Sequence, residues 1–367
     1  MIKYVLRRLI QAIPVLIGIS IVTYGILRLA PGGPTGRFAQ NVHITQEQID
    51  QFKHRWGLDD PWYIAYFKWM GLAGDKPPLI NALPGGTIEL AGLKIDLPGG
   101  DNGILHGDFG YSINDGRPVA DVIGERILPT FILAGTSYLI WILIAFVAGV
   151  YAAVKRYSLF DSALTIFNYI GFSFPTFWLG LMLIFFFSQG TPFKWFPVGG
   201  ITTTRTIPAF GTDKYWAFFG QQPLNALGDL ASHLVLPVFT LVLVNIAFDS
   251  RFIRASMLDS LNQDYVKTAR AKGVPERRVI FRHALRNALL PVVTNIGLEI
   301  PFLFGGAIVT ETIFSWPGMG REFIQATAHY DYPVLMGILL VTAVIVVGAN
   351  LLADVAYAIV DPRVKYD

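Results

Sequence analysis

Pro129-Thr-Phe-Ile-Leu-Ala-Gly-Thr-Ser-Tyr-Leu-Ile-Trp-Ile-Leu-Ile-Ala-Phe-Val-Ala-Gly-Val-Tyr-Ala-Ala-Val154 contains no charged side chain. About 20 mostly apolar residues in a helix cross the hydrocarbon core of a bilayer, so this stretch is long enough to span. Five other runs read the same way. Leu9–Ala30 is apolar except for Gln11 and Arg28 near its ends, and Ser162–Phe187 and Tyr332–Ala353 are uncharged. Leu230–Phe248 lies between Asp229 and Asp249, with His233 near its edge, and Ala288–Thr310 is interrupted only by Glu299. The 367 residues are 53% hydrophobic and 15% charged, with a mean hydropathy of +0.48. A soluble domain carries about 25% charge, so this chain lacks the polar surface to enclose six such helices in water. The reading is an all-α polytopic membrane protein with six transmembrane helices. The absence of cysteine excludes disulfide scaffolds, thiolate metal sites and cysteine nucleophiles. The net charge of +3 gives no ground for a nucleic-acid partner.

Lys3, Arg7 and Arg8 before the first run resemble a signal-peptide start, but its apolar stretch exceeds the usual 7–15 residues of a cleaved signal and no small-x-small cleavage site follows. It reads as a retained helix. Basic residues then set orientation. Lys155 and Arg156 join the second and third runs, and Arg363 and Lys365 lie in the tail. Arg251 to Arg286 holds nine basic against three acidic residues, whereas Pro31–Leu128 holds eight against twelve. Six spans with both termini cytoplasmic put every basic segment inside. The resulting division is a cytoplasmic segment and first helix at 1–30, an extracytoplasmic domain at 31–128, a core of five helices at 129–360 and a cytoplasmic tail at 361–367.

Within the outer segment, Thr45 with Gln48 reads as the start of a helix, and Trp62–Met70 as a second, aromatic one. Thr87–Leu97 alternates around Ala91-Gly92 between Pro-Gly-Gly turns, a hairpin signal. Pro175 and Pro301 read as helix kinks, and Gly305-Gly306 as a close-packing point. Glu299, the one mid-span charge, is costly in lipid and calls for a wet cavity or a partner. It reads as a candidate for the translocation path, against a structural bond to a neighbouring helix. Asp249 reads as a span end meeting water. No phosphate loop, His-Glu-x-x-His or Gly-x-Ser-x-Gly motif occurs, and the six scattered histidines read as surface or interface residues. The chain reads as non-catalytic and without a cofactor or metal of its own.

Asp264-Tyr-Val-Lys-Thr-Ala-Arg-Ala-Lys-Gly-Val-Pro275 lies between the fourth and fifth runs. The spacing predicts a helix over Tyr265–Lys272, stopped by Gly273 in the left-handed region and restarted with Pro275 in the first turn. Val266, Ala269 and Val274 are expected to form a small apolar surface ringed by Lys267, Arg270 and Lys272, open to close approach by another protein.

Ala269-Arg-Ala-Lys-Gly273 with Phe281-Arg-His-Ala-Leu-Arg-Asn-Ala-Leu-Leu-Pro291 resembles the coupling loop of binding-protein-dependent ABC importer permeases of the dipeptide, oligopeptide and nickel type. Gly107-Asp-Phe-Gly-Tyr-Ser112, Arg117-Pro-Val119, Glu311-Thr-Ile-Phe-Ser-Trp-Pro-Gly-Met-Gly320, Asp331-Tyr-Pro333 and Asp361-Pro-Arg363 match in order. The general motif opens Glu-Ala-Ala where this chain has Lys267-Thr-Ala269, and residues Asp75–Asn102 look inserted.

The resemblance implies the type I ABC importer permease fold and a prokaryotic inner-membrane location. It also implies two ATP-binding subunits that hold ATP and Mg, a second and different permease, and an extracytoplasmic binding protein delivering short peptides or a related solute. The coupling loop, 257–287, would meet the ATPases through Tyr265, Val266, Ala269, Arg270, Lys272, Gly273, Val274 and Pro275. Phe314, Trp316, Pro317, Gly318 and Gly320 would form an outer gate or contact the binding protein. A secondary transporter or channel needing no ATPase is the alternative.

Overall fold

The computed structural model describes residues 2–29, 59–72, 87–90, 93–96, 103–188 and 195–360, with single positions 47, 50, 53 and 193. The described helices are α1 (Ile2–Leu29), α2 (Trp62–Met70), α3 (Val119–Val154), α4 (Leu159–Ser173), α5 (Thr176–Phe187), α6 (Asp213–Gln221), α7 (Pro223–Leu261), α8 (Asp264–Ala271), α9 (Leu285–Ile313), α10 (Met319–Ala328) and α11 (Tyr332–Val360). The expected hairpin is present as β1 (Thr87–Leu90) and β2 (Leu93–Asp96), antiparallel, with Leu90 opposite Leu93. The Thr45 helix start, the Ala91-Gly92 turn and the tail beyond 360 fall outside the described residues. So does the side-chain packing of Pro301 and Gly305-Gly306, whose backbone is helical.

Four described helices are long and apolar enough to cross a membrane: α1 over Leu6–Ile26, α3, α7, and α11 over Tyr332–Ala353. The third run is not one straight span. α4 and α5 meet at a bend of 97° and count as a fifth crossing only if taken together. Pro175 causes the break: it has no N–H to donate and forces Phe174 out of the helical region, to φ −86°, ψ 123°. The run expected as the fifth span is continuous helix in α9. α7 has 39 residues, ~58 Å at helical rise, far beyond a ~30 Å hydrocarbon core. It therefore carries the chain well past the lipid.

The described residues fall into two compact units. One comprises Met1–Arg8, Ile127–Arg321 and Ile345–Asp367. Its core gathers Leu133 and Trp141 of α3, Val238, Leu241, Val242 and Ile246 of α7, Ile201 and Trp316. α4 lies along α7 with matched contacts at three levels. Asp161 takes two hydrogen bonds from Arg254 (2.6 and 2.8 Å), Asn168 and Ser250 exchange hydrogen bonds, and a Cβ on Gly171 would lie 3.3 Å from the Ala247 methyl. His233, read from the sequence as a surface or interface residue, is buried, with its Nδ1 2.9 Å from the Asp229 carbonyl.

The other unit comprises Leu9–Arg126 and Glu322–Val344. In it the buried Asp331 carboxylate, just before α11, gathers Ser112 Oγ (2.5 Å) and the backbone N–H groups of Ile113 and Asn114. Arg126 pairs with Glu322 at 3.0 Å.

The Asp161 carboxylate is 3% exposed and is held by both the Nε and the Nη2 of Arg254. Asp161→Asn removes the charge that Arg254 pairs with and is expected to destabilise the purified protein at pH 7 by about 3 kcal/mol. The check is the melting temperature of the variant against the wild type in a thermal-shift measurement.

Candidate functional site

α8 forms where the sequence indicates and ends in a Schellman motif: Gly273 N–H bonds the Arg270 carbonyl (3.0 Å) and Val274 N–H the Ala269 carbonyl (3.2 Å). Gly273 sits at φ +73°, a region that costs other residues roughly 1–2 kcal/mol. Pro275 lies at ψ 136°, one position before the helical turn Glu276–Arg278, so it caps the restart from outside the first turn.

The orientation of α8 differs from the sequence expectation. Val266 is fully buried and Ala269 nearly so, packed with Ala153, Met257, Val279, Ala284 and Ala288 of the same chain. They are the inward face, because the ends of α7 and α9 supply more apolar surface than an isolated knuckle leaves outside. Tyr265 stays exposed along its ring, while its hydroxyl lies 2.7 Å from Ser260 Oγ, which also donates to the Ala284 carbonyl. The outward face presents Lys267, Ala271, Lys272, Gly273, Pro275 and Phe281, the last 59% exposed.

Arg270 braces the turn with two hydrogen bonds to Glu276 (2.8 and 3.2 Å), and this holds the Glu276 carboxyl below its ordinary pKa. Val279–Ala284 is π-helical, which nothing in the sequence signals. Its wider turn brings residues five apart onto one face, so Val279 and Ala284 both point into the anchor.

A polar cluster crosses the first unit between α3, α7 and α9. The amide of Asn295 donates to Glu299 Oε1 (2.5 Å) and to Asp249 Oδ1 (3.4 Å), and Trp141 Nε1 donates to Asp249 Oδ2 (2.9 Å). Asp249 is only 2% exposed. It does not meet water at a span end, because α7 continues through it for twelve more residues. Glu299 is thus tied to its own helix through Asn295, which shares its amide with a carboxyl on α7. A charge at this depth costs several kcal/mol unless bonded in this way.

Glu311–Gly320 is folded inward, whereas the sequence reading puts it at an outer surface. Phe314 and Trp316 are 2% and 0% exposed, and Gly318 and Gly320 are buried. Only Pro317 of the five expected contact residues stays half-buried. Glu311 is fully buried and takes hydrogen bonds from Thr130 Oγ1 (2.8 Å) and Arg321 N–H (3.0 Å). Thr130 accepts from Met319 N–H, and Trp316 Nε1 donates to the Pro129 carbonyl, both at 2.8 Å. A Cβ on Gly318 would overlap the Glu311 carboxyl, and one on Gly320 would lie 2.7 Å from Ile308 Cα. An acid followed seven and nine residues later by glycines was the only available signal for this knot.

Long apolar helices, one of them prolonged into a short helix that reverses at a glycine, are those of a polytopic membrane protein. The chain matches the family described as binding-protein-dependent transport system inner membrane component over residues 145–366, and the profile of the N-terminal part of such components over residues 1–75. It belongs to that family.

It is 39% identical to the oligopeptide transport system permease protein AppB of Bacillus subtilis, with both chains covered completely. It is 35% identical to the dipeptide transport system permease proteins DppB of Escherichia coli K12 and of Alkalihalophilus pseudofirmus, which cover all of this chain. The protein is a permease subunit of an ABC importer, and nucleotide hydrolysis lies in partner subunits.

Proposed function

We propose that this permease forms half of an ATP-driven path for short peptides in the inner membrane of a prokaryote. The observation that carries the reading is α8: a short helix anchored by Val266 and Ala269, with Val274 packed against the same cluster and Ala271, Lys272, Gly273 and Pro275 exposed at its tip. A rigid tip on a long helix relays displacement. Closure of two ATP-binding subunits, which hold ATP and Mg, moves α8 and with it α7 and α9, shifting the path between inward- and outward-facing states. Among the residues expected at this contact, Lys272, Gly273 and Pro275 meet the ATPase. Val266 and Ala269 position them, and Arg270 holds the turn through Glu276.

Peptide as cargo follows the relatives, which are named oligopeptide and dipeptide transport system permease proteins. A second, different permease completes the path, and an extracytoplasmic binding protein delivers the cargo. Six spans with both termini cytoplasmic fit the charge distribution, with the bent pair α4–α5 as the third span, α9 as the fifth and residues 31–128 outside. The tail, 361–367, is then cytoplasmic. Glu299 with Asn295 and Asp249 borders the path and receives the peptide amine.

The test is uptake of labelled di- to pentapeptides into proteoliposomes holding the complete transporter. Uptake should require ATP, and Glu299→Gln should lower it about tenfold, ~1.4 kcal/mol for one lost charge contact, with unchanged protein incorporation. Uphill uptake by this chain alone, without ATP, would establish the channel or secondary-transporter reading instead.

A further inference from the structure

α2 is a nine-residue helix, Trp-Tyr-Ile-Ala-Tyr-Phe-Lys-Trp-Met, with one charged side chain. It is fastened to α1 by side-chain contacts at three levels. Arg28, just past the apolar stretch of α1, donates to the Asp60 carbonyl at 2.5 Å. One turn back, the Tyr24 ring packs on Trp69 and Tyr66, with centroids 5.3 and 5.6 Å apart. A further turn back, Ser20 Oγ lies 2.8 Å from the Tyr66 hydroxyl. Ser20 is six residues inside the apolar stretch that ends at Ile26, ~9 Å by helical rise. The contacts thus descend from the polar end of α1 into its lipid-crossing part. Gly71, at φ +84°, then ends α2 in a Schellman motif and turns the chain back.

The outward side chains suit lipid. Trp62, Tyr63 and Phe67 are 54%, 50% and 46% exposed, and Ile21, Val22 and Ile26 on the neighbouring α1 are exposed as well. Lys68, the one cation, reaches back to Asp60 at the start of the helix, 3.0 Å away. A lysine sunk in apolar surroundings bends back in this way to keep its ammonium at the polar boundary. Aromatic side chains with one polar edge concentrate at that boundary, and short helices with one apolar face lie within it.

We infer that α2 is embedded in the lipid leaflet at the Arg28 end of α1, its Trp62–Tyr63–Phe67 face against headgroups and acyl chains. That leaflet is the outer one under the topology proposed above, but the depth of α2 does not depend on which side it is. Part of the segment expected as an extracytoplasmic domain is then a membrane-surface element, which leaves less of it as a docking surface for the binding protein.

The chain contains no cysteine, so single substitutions carry a unique spin label. Trp62→Cys, Tyr63→Cys and Phe67→Cys are labelled with a nitroxide in the complete transporter, reconstituted in phosphatidylethanolamine–phosphatidylglycerol vesicles. Val22→Cys serves as the lipid reference and Asp115→Cys as the water reference, and retained ATP-dependent uptake verifies each variant's fold. The ratio of collisions with oxygen to collisions with a soluble nickel chelate should be several-fold higher at position 67 than at 115. It should approach the value at 22, with position 62 between the references. A ratio at 62, 63 and 67 equal to that at 115 would overturn the inference in favour of a water-facing surface for a soluble partner. Protection from both reagents would overturn it in favour of a protein-covered face.

Discussion

Gly318→Ala is expected to remove most of the folded permease from the membrane. The added methyl has no free space: it falls on the Glu311 carboxyl, which is fully buried and held by Thr130 and the Arg321 backbone. Moving that carboxyl leaves the Thr130 hydroxyl and the Arg321 N–H without their acceptor, and Met319 and Trp316 are tied to the same place. Breaking a buried, hydrogen-bonded charged group costs about 3–5 kcal/mol, against a total of about 5–15 kcal/mol for a folded protein.

Glu311→Gln keeps an acceptor and the volume and should cost less, about 1–2 kcal/mol. The check is yield and melting temperature in detergent for both variants. A Gly318→Ala protein melting with the wild type would refute the close packing of this turn. The same measurement bears on whether Phe314–Gly320 touches an external partner, since a knot of this kind gives a structural reason for the motif that needs no partner.

Ala269→Glu and Ala271→Glu, two residues apart on α8, are expected to fail for different reasons. Ala269 faces Met257, Val266, Val279 and Ala284. A glutamate there would bury an unpaired charge among apolar side chains, costing several kcal/mol, and would detach α8 from the rest of the chain. Its melting temperature should drop and its ATPase subunits should not co-purify. Ala271 is exposed beside Gly273, so the same substitution leaves the melting temperature within about 2 °C, as surface changes do.

The Ala271→Glu transporter should nonetheless lose at least about tenfold in peptide uptake, ~1.4 kcal/mol at the ATPase contact. Normal uptake by Ala271→Glu would move the contact elsewhere on the loop. An unchanged melting temperature for Ala269→Glu would refute the anchor.

The placement of α8 marks the border between what could be read from the chain and what could not. Its start and stop follow from Gly273 and Pro275, whose backbone restrictions act within a turn or two and need no neighbours. Its inward face could not be read, because an eight-residue helix has no preferred side until α7 and α9 compete to cover it. The π-helical turn at Val279–Ala284 was illegible for the same reason: it is the phase correction that lets both residues reach that anchor.

Asp249 repeats the lesson. By composition it ends an apolar run. In the fold it is buried between Trp141 and Asn295, residues 108 and 46 positions away in the chain.

By itself, the sequence determined that this is a helical membrane protein, where its apolar runs lie, which segments are basic and where the Gly273 reversal falls. These follow from transfer free energies and dihedral limits that each residue carries with it. Tertiary structure alone decided that the third run bends by 97°, that Val266 and Ala269 anchor rather than dock, and that Glu311 is enclosed by Thr130, Gly318 and Gly320. Those outcomes depend on which distant side chains compete for the same space and the same hydrogen bonds, and that competition exists only once the helices have packed.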